Sequence, residues 1–192
     1  MSYIINDSTC RTIKNRGIAN QIDRDQEEVF MTIHPNAEAD EINHYSKFQL
    51  EQNLPDNIII VAGLNEVHHH PSMGKEDEYS EFDPVKIAEK VCRIGLEAKK
   101  AGVGRICIST LIRPKFEKGR LAVEKVNSHL RSICRQEEFT IIEQSNIMRS
   151  DLHDAIHVNW ESGTEKLKNN ILAQLYTFVP SEPEYHRDRD RR

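Results

Sequence analysis

The chain contains a run of five consecutive apolar residues, Ile58–Ala62, which Gly63 ends. The run is far too short to span a membrane, and it lacks the polar alternation expected of a strand with one face in water. Strands that are apolar at every position are typical of parallel sheets, because helices cover both faces of such a sheet. The run therefore predicts a central strand of an α/β fold.

Four other segments rich in β-branched and aromatic residues predict the remaining strands. In chain order they are Tyr3–Ile5, Val29–Ile33, the apolar run within Gly104–Ile112, and Phe139–Ile142. Helical patterns fill the intervals, at Ile42–Leu50, Asp83–Gly102, Leu121–Cys134 and Glu161–Phe178. This alternation predicts a three-layer α/β/α sandwich around a five-stranded parallel sheet with right-handed crossovers.

The length of 192 residues predicts one domain, which we assign to residues 1–179. Residues 180–192 carry charges of both signs and no apolar anchor, so we expect a disordered tail. The stretch from Glu66 to Asp83 is polar and acidic, and we predict a surface loop or lid from His68 onward. Its negative charge disfavours anionic ligands.

Composition argues against several classes of protein. No apolar stretch approaches the ~20 residues of a membrane span, and the first residues lack the pattern of a secretory signal. The net charge of −5 argues against a nucleic-acid partner. The four widely spaced cysteines are expected to be reduced, small core residues of a cytoplasmic protein.

Three adjacent histidines, His68–His70, suggest a metal site at first sight. Neighbouring side chains on a loop cannot easily all face one ion, and no acidic or cysteine ligand stands at a fixed spacing from them. We therefore expect no metal and no other cofactor.

Polar residues with catalytic potential follow the predicted strands. Ser8 follows the first strand, Asn65 follows the third, and Asp154 and His157 precede the last helix. Ligands of open α/β sheets bind beyond the carboxyl ends of the strands, where the strand order reverses. Ser8 alone also fits a helix cap, and Asn65 a turn. An aspartate three residues before a histidine can place its carboxylate on the imidazole, although such pairs also occur by chance.

Taken together, these segments resemble the SGNH (GDSL-type) hydrolase family. Asn6–Ser8 stands where the family has Gly-Asp-Ser, and Pro35–Ala37 stands at the glycine of the second block. Gly63–Glu66 stands where the family has Gly-x-Asn-Asp, and Asp154–His157 stands where it has Asp-x-x-His. The order and spacing of the blocks match the family over Ser2–Val179.

The resemblance implies a serine esterase that cleaves carboxylic esters, including O-acetyl esters, through an acyl-serine. It implies that Ser8 is the nucleophile, that His157 is the general base, and that Asp154 orients His157. It implies an oxyanion hole made of the N–H of Ser8, the N–H of Asn36 and the side-chain amide of Asn65. The implied partner is a small, neutral or cationic ester, and the oligomeric state stays open.

The family fold implies the flavodoxin-like strand order 2-1-3-4-5, which brings Ser8 and Asn65 together across 57 positions of sequence. Further residues are expected to line the site: Asp7, Gly63, Glu66 and Trp160. Of these, we expect Trp160 to pack against the catalytic loop rather than to contact substrate.

Two departures from the family pattern are asparagines in place of glycine, at Asn6 and Asn36. Asparagine tolerates left-handed backbone better than other non-glycine residues, so we expect both turns to survive. The Asn36 side chain would project near the oxyanion and either narrow the pocket or bind a polar group of the substrate. Glu66 is a longer acid than the family aspartate.

An alternative is a catalytically weak binding or scaffolding domain with the same fold, of the kind found in RNA-associated and retroelement proteins. A domain cut from a longer polyprotein is a third hypothesis. The presence of Ser8, Asp154 and His157 favours the enzyme, whereas the two asparagines favour the alternative.

Overall fold

The computed structural model describes residues 1–10, 12, 28–73 and 81–176, apart from the side chains of Ser8, Pro71 and Tyr176. The tail predicted at residues 180–192 lies outside these described residues. Five strands form one sheet: β1 (Ser2–Asn6), β2 (Val29–Ile33), β3 (Asn57–Val61), β4 (Arg105–Ser109) and β5 (Thr140–Ile142). All pairs are parallel and the order is β2-β1-β3-β4-β5, which confirms the predicted topology.

Helices connect the strands and cover both faces of the sheet. They are α1 (Ala39–Gln52), α2 (Leu64–His69), α3 (Pro84–Ala101), α4 (Glu117–Glu137) and α5 (Ser162–Tyr176). Short 3-10 helices occupy Ser8–Cys10, Pro71–Met73 and Arg149–Asp151. None of the helices in the described ranges combines the length and apolarity that crossing a membrane requires.

The apolar run of β3 is buried on both faces, as its sequence predicted. Ile58 and Ile60 belong to the apolar core that lies against α1, α3 and α4. Ile59 and Val61 point to the opposite core, which α5 closes with Leu167, Ile171, Leu172 and Leu175. The alternation of side chains along one strand thus feeds two separate cores.

The four cysteines, Cys10, Cys92, Cys107 and Cys134, are buried and free, as predicted. Burial raises the pKa of the Cys10 and Cys107 thiols. A thiol held neutral in an apolar core is a poor nucleophile, so these two act as small core residues.

The prediction of a loop from His68 onward is wrong at its start, because α2 extends from Leu64 to His69. Leu64 and Val67 are buried in the core, and this packing stabilises a helical turn that the polar histidines concealed in the sequence. The acidic residues at 74–80, where the lid was expected, lie outside the described residues.

Gly63 makes the sharp transition from β3 into α2. Its φ of 104° is left-handed, a conformation that side chains with a Cβ disfavour. A Cβ at this position would also lie 2.9 Å from Cγ2 of Val91. The glycine therefore lets α2 begin directly after the buried strand.

We expect Gly63→Ala to lower the free energy of unfolding by about 2 kcal/mol, because alanine is strained at this φ and crowds Val91. Urea denaturation followed by circular dichroism measures the loss. Gly104→Ala is the matched control: its new Cβ would meet nothing closer than the Asp56 carbonyl oxygen at 3.4 Å. Equal stability of the two variants would contradict the role assigned to Gly63.

Candidate active site

The carboxyl ends of the parallel strands lie along one edge of the sheet, and the predicted site residues follow them. β1 leads through Asp7 into the 3-10 helix Ser8–Cys10. Since β1 lies between β2 and β3, the segments that carry Asn36 and Asn65 flank the backbone of Ser8. The side chain of Ser8 itself is not among the described parts of the structure.

Asp154 and His157 share a loop between β5 and α5 that its own backbone closes. Leu152 and Val158 form an isolated antiparallel bridge, and the N–H of His153 donates to the carbonyl of His157 at 2.8 Å. Across this loop, Oδ2 of Asp154 lies 2.9 Å from Nδ1 of His157. The spacing thus brings the carboxylate onto the imidazole.

The Asp154 carboxylate is held in its ionised form. Its Oδ1 accepts hydrogen bonds from the backbone N–H groups of Ile156 at 2.9 Å and His157 at 2.8 Å. Partial burial acts to raise the pKa of Asp154, but these bonds and the imidazole outweigh it and hold the pKa well below its usual value. An ionised partner at Nδ1 favours the tautomer with the proton there, so that Nε2 can accept another.

Asp7 connects the loop to the end of β1. The carboxyl is fully buried, and its Oδ1 accepts the N–H of Thr9 at 2.8 Å. Burial raises the pKa of Asp7, while hydrogen bonds from Thr9 and Leu64 and the charge of His157 act to lower it. The charge of His157 thus acts on the buried acid that precedes Ser8.

Asn36 and Asn65 are joined through one backbone segment. Asn36 adopts a left-handed conformation with a φ of 62°, as expected for an asparagine in the place of glycine. Asn65 is buried, and its side-chain Nδ2 donates to the carbonyl of Ala37 at 2.9 Å. A side-chain amide carries two N–H donors, and within the described residues only one of them is used, so the other can bind a ligand.

The expectation of a left-handed turn at Asn6 is wrong. Asn6 is the last residue of β1 and pairs in extended conformation with Ile33 and Val61. Its side chain is buried and donates from Nδ2 to the carbonyl of Thr32 at 2.8 Å. The asparagine therefore ties β1 to β2, a role that needs no positive φ.

Glu66 lies beside Asn65 and reaches the same segment. Its Oε1 accepts a short hydrogen bond from the backbone N–H of Ala39. The side chain is 6% exposed, and burial raises its pKa to about 7. The acid thus lies inside the protein, at the start of α2.

A cavity of about 750 Å³ lies next to Glu66, between the first turns of α1 and α3. Its described lining consists of Glu38, Glu66, His69, His70, Glu81, Phe82, Asp83, Pro84, Lys86, Ile87 and Lys90. Asp154 and His157 are not part of this lining, so the cavity borders the candidate site rather than forming its centre.

One supporting residue escaped the sequence analysis. Lys115 donates its backbone N–H to the carbonyl of Ala155 at 2.8 Å and its Nζ to the carbonyl of His153 at 3.2 Å, which fixes the Asp154 loop. The charges of Asp154 and His157 also act on the pKa of His68, which burial lowers. The only sequence signal for Lys115 is its position after the fourth strand.

The packing of Trp160 against the catalytic loop stays a prediction. Its side chain is 50% exposed, so it offers an open indole surface two residues beyond the bridge at Val158.

The described residues contain no group of three histidine, cysteine or acidic side chains arranged to hold a metal ion.

Comparisons with known proteins give structural likeness only. No protein-family model matches the sequence, and no curated protein matches it. An acetyl xylan esterase structure superposes with a TM-score of 0.75 at 12% identity, covering 91% of this chain and 100% of that one. A GDSL-like lipase from Bacteroides thetaiotaomicron gives 0.73 at 7% identity, covering 92% and 87% of the two chains.

The acetylxylan esterase Axe2 from Geobacillus stearothermophilus, as a catalytic mutant, gives a TM-score of 0.72 at 11% identity. That match covers 91% of this chain and 93% of the esterase. At such low identities the likeness concerns the path of the backbone. The chain has the divergent α/β/α fold of the GDSL/SGNH-type esterases and lipases.

Proposed function

We propose that this protein is a serine esterase of SGNH type, acting on small carboxylic esters that include O-acetyl esters. The observation that carries the proposal is the Asp154–His157 pair, 2.9 Å apart, on the loop after β5 of a sheet whose first strand leads into Ser8. The fold shared with acetylxylan esterases supports the same reaction class. The four free, buried cysteines fit a cytoplasmic location.

In the proposed acylation, Nε2 of His157 takes the proton of Ser8 while the Ser8 oxygen attacks the ester carbonyl. Asp154 holds the imidazole and stabilises the imidazolium that forms. The N–H groups of Ser8 and Asn36 and the amide of Asn65 stabilise the oxyanion. The imidazolium then protonates the departing alcohol, which leaves an acyl-serine.

In the proposed deacylation, His157 takes a proton from water, and the hydroxide equivalent attacks the acyl-serine carbonyl. The same donors stabilise the second oxyanion, and the imidazolium returns its proton to the Ser8 oxygen as the acid leaves. Free enzyme and carboxylic acid result, so no cofactor is needed for the balance of the reaction.

We propose a small and uncharged or cationic substrate. Asp7, buried beside the site, and the acids around the neighbouring cavity would repel an anionic ester. The exposed indole of Trp160 offers an apolar surface for the alcohol or acyl group.

We expect a fluorophosphonate probe to label the wild type, and Ser8→Ala and His157→Ala to abolish labelling and hydrolysis of p-nitrophenyl acetate. Asp154→Asn should lower kcat by roughly 10³–10⁴-fold, because the amide no longer stabilises the imidazolium. Ser128→Ala and His129→Ala on α4, which are not among the proposed site residues, are matched controls and should keep full activity. A folded wild type that is neither labelled nor active would reject the esterase and leave the non-catalytic binding domain.

We expect Asn65→Ala to lower kcat by roughly 10²–10³-fold with a smaller change in KM, because the lost donor acts mainly on the transition state. Steady-state kinetics with p-nitrophenyl acetate measure both constants. Asn146→Ala, which removes a surface amide bonded to Asn170, is the control. A rise in KM at constant kcat would instead show that Asn65 binds the ground state.

A further inference from the structure

We propose that Glu66 is a positioning residue for the esterase site, whose side chain fixes the turn that presents the N–H of Asn36. The inference rests on the proposed function, since it concerns the same oxyanion hole. Within the described residues, no hydrogen bond joins Glu66 to Asp154, His157 or Asn36. Glu66 would therefore act on Asn36 through the backbone that leads back from Ala39.

The segment after Asn36 is held at two points by the first turn of α2. Asn65 donates to the carbonyl of Ala37, and the N–H of Ala39 donates to Oε1 of Glu66. The turn is closed locally by the N–H of Ala37, which donates to the carbonyl of His34 at 3.2 Å. The neighbouring side chains of Asn65 and Glu66 therefore bond the first and the last residue of the stretch Ala37–Ala39.

These two contacts matter because Asn36 is held in a disfavoured conformation. A non-glycine residue with a φ of 62° persists only when its surroundings determine it, since the left-handed region costs roughly 1 kcal/mol or more. Release of Ala39 would let Asn36 relax toward negative φ. The direction of its N–H would then change, and the oxyanion would lose a donor.

Burial makes the contact to Ala39 hard to replace. Ala39 is the first residue of α1, where helix N–H groups lack partners within the helix. Its backbone is enclosed, with the side chain fully buried, so water cannot readily substitute for the carboxyl oxygen. The extra methylene of glutamate relative to the family aspartate supplies about 1.5 Å of reach from α2 to α1.

The second oxygen, Oε2, is buried and accepts no hydrogen bond from another described residue. Burial raises the pKa of Glu66 to about 7, hydrogen bonds from Ala39 and from its own N–H act to lower it, and Glu38 and Asp7 raise it further. As the pH rises through about 7, the buried Glu66 side chain thus changes from its neutral form to its negatively charged form. The groups around it are Asp7, Glu38, His69, His70, Glu81, Asp83, Lys86 and Lys90.

Activity of three variants tests the positioning role. Glu66→Ala should lower kcat for p-nitrophenyl acetate by roughly 10–100-fold with little change in KM, since a misplaced donor acts on the transition state. Glu66→Gln keeps a carbonyl oxygen for Ala39 and should restore kcat to within a few-fold. Glu89→Ala, an exposed acid on α3, is the matched control and should behave as wild type.

The pH profile gives a readout that a merely structural role would not move. In the wild type, ionisation of Glu66 adds a buried negative charge on the helix that carries Asn65, which disfavours the developing oxyanion. We expect kcat to fall as the pH rises through about 7, and this alkaline limb to vanish in Glu66→Gln. An identical profile in both proteins would overturn the proposal.

Stability should follow the same titration. The folded pKa of about 7 exceeds the usual value of 4.5, so the folded state binds more protons between these limits. The urea midpoint of the wild type should therefore fall relative to Glu66→Gln as the pH rises from about 4.5 to 7, and stay constant above. A midpoint difference that does not change over this range would show that Glu66 is not a buried acid.

Amide hydrogen exchange separates this inference from the proposed function, because it needs no substrate. The Ala39 amide should exchange slowly in the wild type and Glu66→Gln, and at least tenfold faster in Glu66→Ala. If Glu66→Ala does not fold, Glu66→Asp serves in its place, since it is too short to reach Ala39. An inactive wild type rejects the esterase. If the wild type is active and the Glu66 variants change neither kcat nor the exchange rate of the Ala39 amide, the positioning role is rejected.

Discussion

The parallel pairing of β1 with a strand on each side determines where the segments that carry Ser8, Asn36 and Asn65 lie. The ladder continues past the strand ends: the N–H of Asp7 donates to the carbonyl of Val61 at 3.1 Å, and the N–H of His34 donates to the carbonyl of Asn6 at 2.8 Å. Three loops therefore leave the sheet at one level. Segments far apart in sequence, such as those of Asn36 and Asn65, lie side by side there because their strands end in register.

The two strands beside β1 differ in how deeply they are buried. On the β3 side, a strand buried at every position passes through Gly63 into a helix whose first turn is itself in the core. On the β2 side, an edge strand of partly exposed residues leads to the Asn36 turn. The side chains of Asn65 and Glu66 belong to the buried β3 side and bond the backbone that follows the more exposed β2. Added contacts have most effect on the more exposed side.

The sequence analysis predicted the features that depend on local or repeating patterns. Continuous apolar strands, helical periodicity and the three-residue spacing of Asp154 and His157 act over short distances, so the parallel α/β architecture and the Asp–His contact followed from them. The strand order followed from the family resemblance. Contacts made through tertiary packing were not visible. The Glu66 bond to Ala39 spans 27 positions, and the exposure of Trp160 depends on how its loop lies on the sheet.

Errors in prediction arose where two interpretations of one residue compete. Asn6 can serve a left-handed turn or end a strand, and its pairing on both sides of β1 selects the strand. The run of histidines after Val67 suggested a loop, whereas burial of the apolar residues before them selects a helix. In both cases neighbours in space, rather than in sequence, decide the outcome.

Asn36 follows an edge strand, so local opening of β2 would move a donor of the proposed oxyanion hole. Edge strands open locally at lower free energy than central ones, and any such opening removes one oxyanion donor while Asp154 and His157 stay in place. The observed rate would then equal the intrinsic rate multiplied by the fraction of molecules with β2 closed. Ligands or temperature changes that act on the sheet edge would thus tune turnover without touching a reacting atom.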